Sequence, residues 1–188
     1  MANLGEQICA DYLTHRIGCN FISTNISIPE VQGEIDVIGI HLEKRTIYVC
    51  EVAVHTGGLG YNKNGKSDDY NILLGKFHRD IAYVQKYFPD YEVIIPMIWS
   101  PVVKISGVNA KYNVYNELLK LKEQINVDFG LELILVINEI YQEYLNQLRS
   151  HSMSETSEFS SSVMRLFQIE ETLKRHLVKL DKSKVKKG

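Results

Sequence analysis

The spacing of apolar residues changes repeatedly along this 188-residue chain, and the order of those changes constrains the fold most. Helical spacing over 4–17 is followed by strand-like alternation at 21–28, 34–42 and 46–55. The patterns further along predict a helix at 70–88, a strand at 92–103, a helix at 113–126, a strand at 131–138 and a helix at 139–149. This order predicts an α/β domain built on a mixed sheet that is flanked by helices.

Turn-forming and helix-stopping residues support these boundaries. Gly18 predicts the end of the first helix, and Glu43–Lys44 is a plausible tight turn between the second and third strands. Glycine and asparagine residues predict a flexible loop over 56–69. Pro96 and Pro101 predict that the fourth strand is interrupted or lies at an edge of the sheet, because proline lacks an N–H to donate.

The C-terminal part differs in composition from the rest of the chain. A serine-rich segment at 150–162 predicts a linker between an α/β domain at 1–149 and a C-terminal helix with a basic tail at 163–188. Apolar residues recur there at alternating spacings of three and four, interrupted once by Glu170: Phe159, Val163, Leu166, Leu173, Leu177 and Leu180. Such a seam packs on the domain or pairs two copies, so a homodimer through this helix is a hypothesis.

The formal net charge of −2 conceals an asymmetry. Residues 174–188 contain seven basic side chains and one acidic side chain, a charge of +6, which leaves −8 for residues 1–173. A basic terminal segment can contact phosphates, and it can equally be a solvated chain end. The small net charge therefore does not exclude a nucleic-acid partner.

Several classes of protein are disfavoured by the sequence. Three cysteines without a CxxC pair favour reduced thiols over a disulfide framework or a zinc site. No apolar run approaches the roughly 20 residues that span a bilayer, and no secretory signal is visible, so we expect a cytoplasmic protein without a membrane partner. No Walker A, G-x-S-x-G or HExxH motif occurs.

Two acidic residues are placed opposite each other by the predicted hairpin. A turn centred between Glu43 and Lys44 pairs residues whose numbers sum to 87, which puts Asp36 opposite Glu51. Facing carboxylates repel each other unless a cation lies between them, and oxygen ligands of this kind suit Mg²⁺. The alternative is that both acids point into solvent.

Three short segments resemble the PD-(D/E)xK nuclease superfamily, and within it the small bacterial resolvase-like branch. They are Gly5–Glu6 on the first helix, Gly33–Ile38 on the second strand and Tyr48–Val52 on the third. The resemblance covers roughly residues 5–100. It implies a restriction-endonuclease-like α-β-β-β-α-β core and metal-dependent hydrolysis of phosphodiester bonds.

The resemblance also implies roles for individual residues. Asp36 and Glu51, helped by the backbone carbonyl of Val52, would bind Mg²⁺, with Mn²⁺ as a possible substitute. Glu6 would bind a second metal or a water on it, or it is a helix-start acid favoured by the helix dipole. Glu34 would support the metal ligands without binding the metal itself, or it would replace Glu6 as a ligand.

The sequence departs from the family pattern at position 53, where the resemblance implies a catalytic lysine and this chain has Ala53. Three explanations of Ala53 are open: the basic group has moved to another position, catalysis has been lost, or a lysine was replaced deliberately by alanine. Lys76 on the following helix and His55 are the candidates for a moved catalytic group. The alternative for Lys76 is a solvated surface lysine, and the alternative for His55 is a histidine at a strand end without a role.

The most basic and aromatic part of the domain surrounds these candidates. Lys63, Lys66 and Arg79, interspersed with tyrosines, suit a surface that follows a phosphate backbone. The first functional hypothesis is therefore a Mg²⁺-dependent DNA endonuclease. The second is a catalytically inactive module of the same fold that binds DNA or a protein partner.

Overall fold

A computed structural model describes residues 3–29, 32–55, 57–63, 66–107 and 112–185 of the chain. Its strands are β1 (Phe21–Ser27), β2 (Glu34–His41), β3 (Thr46–Val52), β4 (Asn62–Lys63), β5 (Lys66–Ser67), β6 (Val93–Ser100) and β7 (Ile134–Ile137). Five of them form one sheet in the spatial order β1-β2-β3-β6-β7, with antiparallel pairing up to β3 and parallel pairing beyond it. The predicted α/β class with a mixed sheet is confirmed.

The helices cover both faces of this sheet. They are α1 (Leu4–Tyr12), α2 (Asp69–Tyr87), α3 (Val114–Phe129), α4 (Asn138–Ser154) and α5 (Ser162–Val185). After α1 the chain continues in a wider π-type segment, Leu13–Ile17, which ends at Gly18 with φ +86°. Helices α1, α4 and α5 pack on one side, the α1 face, and α2 and α3 pack on the other, the α2 face.

The predicted register of the second and third strands is confirmed. Val37 pairs with Cys50 and His41 with Thr46, so the residue numbers of each pair sum to 87. Because β3 is covered on both sides, its alternate side chains enter different cores. Cys50 packs toward α1, and Val49 packs toward α2.

The predicted edge position of the proline-containing strand is wrong. Strand β6 is not an edge strand, because it lies between β3 and β7 and is parallel to both. Pro96 is accommodated because pairing with β7 begins only at the next residue, Met97, so the missing N–H falls where one side of the strand is open. Pro101 directly follows Ser100, the last residue of β6, so the strand predicted over 92–103 stops at this proline.

Two predicted irregular segments contain regular structure. Strands β4 and β5 form a small antiparallel hairpin within the predicted loop 56–69. Helix α4 continues to Ser154, so the predicted linker 150–162 begins inside a helix, and only residues 155–161 connect α4 to α5. One apolar side that packs on the domain suffices to hold a helix, even when many of its polar positions are serine.

The C-terminal helix starts as part of the domain core rather than apart from it. Val163, Met164 and Phe167 are buried against α1 and α4. Residues 186–188 of the predicted basic tail lie outside the described residues. None of the helices in the described part of the chain combines the length and apolar character needed to cross a bilayer.

Candidate active site

Asp36 and Glu51, the predicted pair of opposed carboxylates, lie at one end of the β2–β3 hairpin. Regular pairing reaches Val37 and Cys50, one position short of them. The Asp36 side chain extends across the hairpin, and its Oδ2 accepts a hydrogen bond of 2.7 Å from the backbone N–H of Val52. The structure thus brings the Asp36 carboxylate next to the backbone of the residue that follows Glu51.

A lysine from α2 completes an ion pair at this point. The Nζ of Lys76 donates a hydrogen bond of 2.6 Å to Oε2 of Glu51, whose side chain is 1% exposed. The ammonium also lies 5.5 Å from the centre of the Tyr61 ring. Lys76 is 28% exposed, so it is a partly buried group that faces the carboxylates and not a solvated surface lysine.

Ala53 explains why a lysine can enter from this direction. Its side chain is buried in the apolar cluster that also contains Leu73 and Phe77 of α2. Its backbone N–H donates to the carbonyl of Trp99. The space above position 53 is therefore covered by the same helix that supplies Lys76.

Arg79 and Asp80 extend the cluster along α2. The Nε of Arg79 is 2.6 Å from Oδ1 of Asp80, and its Nη2 is 3.6 Å from Oε1 of Glu51. The same Nη2 donates a hydrogen bond of 2.6 Å to the backbone carbonyl of Glu34. Arg79, predicted as a DNA-contacting residue, is largely engaged within the site, with 18% of its side chain exposed.

Gly33 is required by the path of that arginine. A Cβ atom at Gly33 would overlap Nη1 of Arg79, and the φ of +152° is also unfavourable for other residues. The glycine of the Gly33–Ile38 segment therefore has a local packing cause. It lets the guanidinium cross the start of β2.

Asp80 is the site residue that the sequence reasoning missed. It is fully buried, and its Oδ2, like Oε1 of Glu51, has no hydrogen-bond partner among the described residues. Its place four residues after Lys76 was the available signal, since residues at this spacing share one side of a helix. The pattern of charges on α2 gave no reason to prefer it over the neighbouring Arg79.

Burial and mutual repulsion make these carboxylates hard to ionise. Burial raises the pKa of Asp36 to about 6, and the Glu51 charge adds to the rise. Burial also raises the pKa of Glu51, although Lys76 opposes the rise. For Lys76 burial lowers the pKa, but the nearby Glu51 carboxylate outweighs it, so the pKa is raised and the group stays an ammonium.

Glu6 is buried near this cluster, but its carboxylate is already hydrogen-bonded. Its Oε2 accepts from the Asn3 backbone N–H at 3.0 Å and from Nδ2 of Asn25 at 2.8 Å, and its Oε1 accepts from Nδ2 of Asn3. Together with the Glu6 N–H bond to Asn3 Oδ1, these contacts form a capping box at the start of α1. Gly5 allows the close approach of α1, because a Cβ there would overlap Cγ2 of Val54.

The donor set suits a hard divalent cation. Asp36, Glu51 and the Val52 carbonyl supply the oxygen ligands that Mg²⁺ prefers, and Glu51 has one buried oxygen without a hydrogen bond. Within the described residues, however, no three His, Cys, Asp or Glu side chains form a ready metal cluster. The residues present fit a metal held by two carboxylates, with water or substrate completing the ligands.

The other predicted site residues are not brought into the cluster by side-chain contacts. Glu34 is exposed and contributes its backbone carbonyl. His55 is exposed beyond the end of β3, and its carbonyl accepts from the Gly58 N–H. Lys63 and Lys66 pair through their backbones in the β4–β5 hairpin, and their side chains lie outside the described part of the structure.

That hairpin is attached directly beside the site. The backbone N–H of Tyr61 donates to Oδ1 of the buried Asp69 at 2.6 Å, and the Tyr61 carbonyl accepts from the Asp68 N–H. Because the Tyr61 ring also contacts Lys76, the base of the hairpin adjoins the ammonium.

The chain has no significant match to a model of a known protein family, to a curated protein or to a solved structure. What the protein does must therefore be inferred from the geometry of the cluster around Glu51.

Proposed function

We propose that this chain is a Mg²⁺-dependent DNA endonuclease with a restriction-endonuclease-like core, in which Lys76 takes the place of the lysine missing at position 53. The observation that carries the proposal is the 2.6 Å contact between Lys76 Nζ and Glu51, beside Asp36. The order of the helices and of the strands in the five-stranded sheet, α1-β1-β2-β3-α2-β6, supports it, with the small β4–β5 hairpin inserted before α2. The hairpin register that opposes the two acids supports it as well.

Each residue of the cluster has a role in this proposal. Asp36, Glu51 and the Val52 carbonyl hold the metal, which when bound would supply charge stabilisation at the scissile phosphate and activate water. Lys76 keeps a positive charge at the same point and offsets the charge that develops on the phosphate oxygens. Arg79 and Asp80 hold α2 against the start of β2.

The first test is cleavage of supercoiled plasmid and of branched DNA in Mg²⁺ or Mn²⁺. Activity is expected with either metal and is expected to stop on addition of EDTA. The Asp36→Ala variant should be inactive, because it removes a metal ligand. Unchanged cleavage by that variant would contradict the assignment of the site.

The second test moves the lysine. Lys76→Ala should lower the cleavage rate by about 100-fold or more, as expected for loss of one preorganised charge, and Ala53→Lys in that background should restore part of it. Lys86→Ala on the same helix is the matched control, because the Lys86 ammonium lies over the Tyr87 ring. Equal losses in the Lys76 and Lys86 variants would show that Lys76 has no special role.

A binding module without catalysis is the second candidate, and one observation favours it. Lys76 and Arg79 already lie against Glu51, and the Glu6 oxygens are used for capping, so the cluster is partly charge-balanced without a metal. This candidate predicts DNA or partner binding that EDTA does not change. It also predicts no cleavage by the unaltered chain in any metal.

A further inference from the structure

Helix α5 is firmly attached at its first turn. The hydroxyl of Ser161 donates a hydrogen bond of 2.5 Å to Oδ2 of Asp11 on α1 and accepts one of 3.3 Å from the Met164 N–H. Val163 and Phe167 are buried against the domain. The direction of the helix is therefore set by its base.

A second side of α5 carries apolar residues that the described part of the chain leaves about half exposed. Leu166, Ile169, Leu173 and Leu177 are each between 50% and 54% exposed. Their spacings of three, four and four place them in one line along the helix, and Leu180 continues the line in sequence. We call this line the leucine stripe.

The stripe has the same spacing in both directions from Leu173. Ile169 and Leu177 lie four residues to either side, and Leu166 and Leu180 lie seven residues to either side. A surface of this kind is complementary to itself under a two-fold rotation that reverses the helix direction. A second copy placed antiparallel would bring Leu173 onto Leu173 and Ile169 onto Leu177.

The charges on α5 favour the same orientation. Residues 162–172 of the helix carry Glu170, Glu171 and Arg165, a net charge of −1, whereas residues 174–185 carry five basic side chains and Asp181, a net charge of +4. Antiparallel pairing about Leu173 places the basic residues that follow Leu173 on one helix beside Glu170 and Glu171 of the other. Parallel pairing would place like charges together, which is unfavourable.

We infer that the leucine stripe is a homodimer interface in which two α5 helices pair antiparallel about Leu173. The interface goes beyond the proposed function, because it uses no residue of the carboxylate cluster. Helix α5 packs on the α1 face of the sheet, whereas Lys76 lies on the α2 face. Dimerisation and cleavage are thus separable by experiment.

Sedimentation velocity of the full chain and two variants tests the interface. The unaltered chain should sediment as a dimer, and Leu173→Glu should raise the dissociation constant by about 100-fold or more, because two carboxylates would meet at the two-fold axis. Val178→Glu is the matched control, since Val178 is 53% exposed on the same helix but lies off the stripe. A monomeric unaltered chain, or equal effects of the two variants, would overturn the inference.

Disulfide trapping tests the orientation. In an antiparallel pair the two copies of residue 169 are separated by about 12 Å along the helices, so Ile169→Cys alone should not cross-link, whereas Ile169→Cys combined with Leu177→Cys should. The native cysteines Cys9, Cys19 and Cys50 are buried and interfere little. Efficient cross-linking of the single variant would contradict antiparallel pairing. Leu173-dependent binding of a monomeric chain to anionic phospholipid vesicles would assign the stripe to a membrane surface instead.

Discussion

The two faces of the central sheet differ in how they treat buried charge, although strand β3 contributes to both. On the α1 face, Trp99 is surrounded by the rings of Tyr12, Tyr141 and Tyr144, with centroid distances of 5.5–6.0 Å. On the α2 face, the apolar cluster is interrupted at one end by Glu51 and Asp80. Both faces are packed, but the α2 face also buries an ion pair whose charges folding must desolvate, whereas the buried carboxylates of α1, Glu6 and Asp11, are hydrogen-bonded to uncharged partners.

The difference indicates what each face is for. Burying an ion pair costs desolvation that its attraction often fails to recover, so such a pair is weak evidence of stabilisation. Aromatic packing, in contrast, contributes directly to the free energy of unfolding. The charges at the end of the α2 face are therefore better explained by the proposed chemistry than by a contribution to stability. Four variants test this difference between the faces.

The largest effect is expected from Asp36→Asn, on cleavage alone. The amide oxygen can still accept the Val52 N–H, and the repulsion from Glu51 disappears, so the free energy of unfolding should be unchanged or slightly higher. The cleavage rate should fall by about 1000-fold or more, because the proposed metal site would lose one of its two carboxylates. Single-turnover cleavage measures the rate, and urea unfolding measures the free energy of unfolding. A variant that is destabilised but still active would show that Asp36 serves stability and not cleavage.

Trp99→Ala should show the opposite pattern on the α1 face. Removing this buried side chain should lower the free energy of unfolding by about 3–5 kcal/mol. Cleavage per folded molecule should be preserved at low temperature, since Trp99 does not contact the cluster through its side chain. Urea titration, with cleavage measured on the folded fraction, distinguishes a loss of stability from a loss of chemistry.

Lys76→Met should have an intermediate effect that depends on pH. Without its partner, Glu51 is a buried carboxylate whose pKa, already raised by burial, rises further. A carboxyl that holds its proton more tightly when folded loses stability as pH rises between its unfolded and folded pKa values. We expect a loss of about 1–3 kcal/mol at pH 8 and less at pH 5, measured by urea unfolding. A loss that is independent of pH would show that Lys76 acts through packing.

The smallest effect is expected from Asp11→Asn, at the base of α5. Burial raises the pKa of Asp11 to about 6, although the Ser161 hydroxyl opposes the rise. The folded state therefore binds the proton more tightly, and this carboxyl costs stability as pH rises from about 4 to about 6. Above that range the variant should be more stable than the parent by about 1–2 kcal/mol, and below pH 4 the two should coincide. A constant difference across pH would contradict the expected ionisation.

The sequence predicted the hairpin well because local patterns determine it. A tight turn fixes which residues face each other, and alternation then fixes the side of the sheet, so the opposition of Asp36 and Glu51 followed from counting. The spacing of the apolar residues Leu73, Phe77, Ile81, Val84 and Phe88 likewise predicts the buried side of α2. The first four are buried, and Phe88, which follows the last residue of the helix, is half-buried.

Long-range packing determined what the sequence could not predict. Lys76 lies next to Phe77 but outside the apolar line of α2, so spacing alone could not separate it from a surface lysine. Its position depends on how α2 crosses β3. The position of β6 between β3 and β7 could not be predicted from the sequence either. Pro96 is a local signal, whereas the order of the strands is set by packing of the whole sheet.

The position of Lys76 on a helix has a consequence for the order in which the proposed enzyme becomes competent during synthesis. Had the lysine been at residue 53, the hairpin would have contained every catalytic group before α2 was made. With Lys76 the set is complete only when α2 has emerged and packed onto β3. A nascent or partly folded chain would therefore be unable to cut DNA, and nuclease activity would itself report that the domain has finished folding.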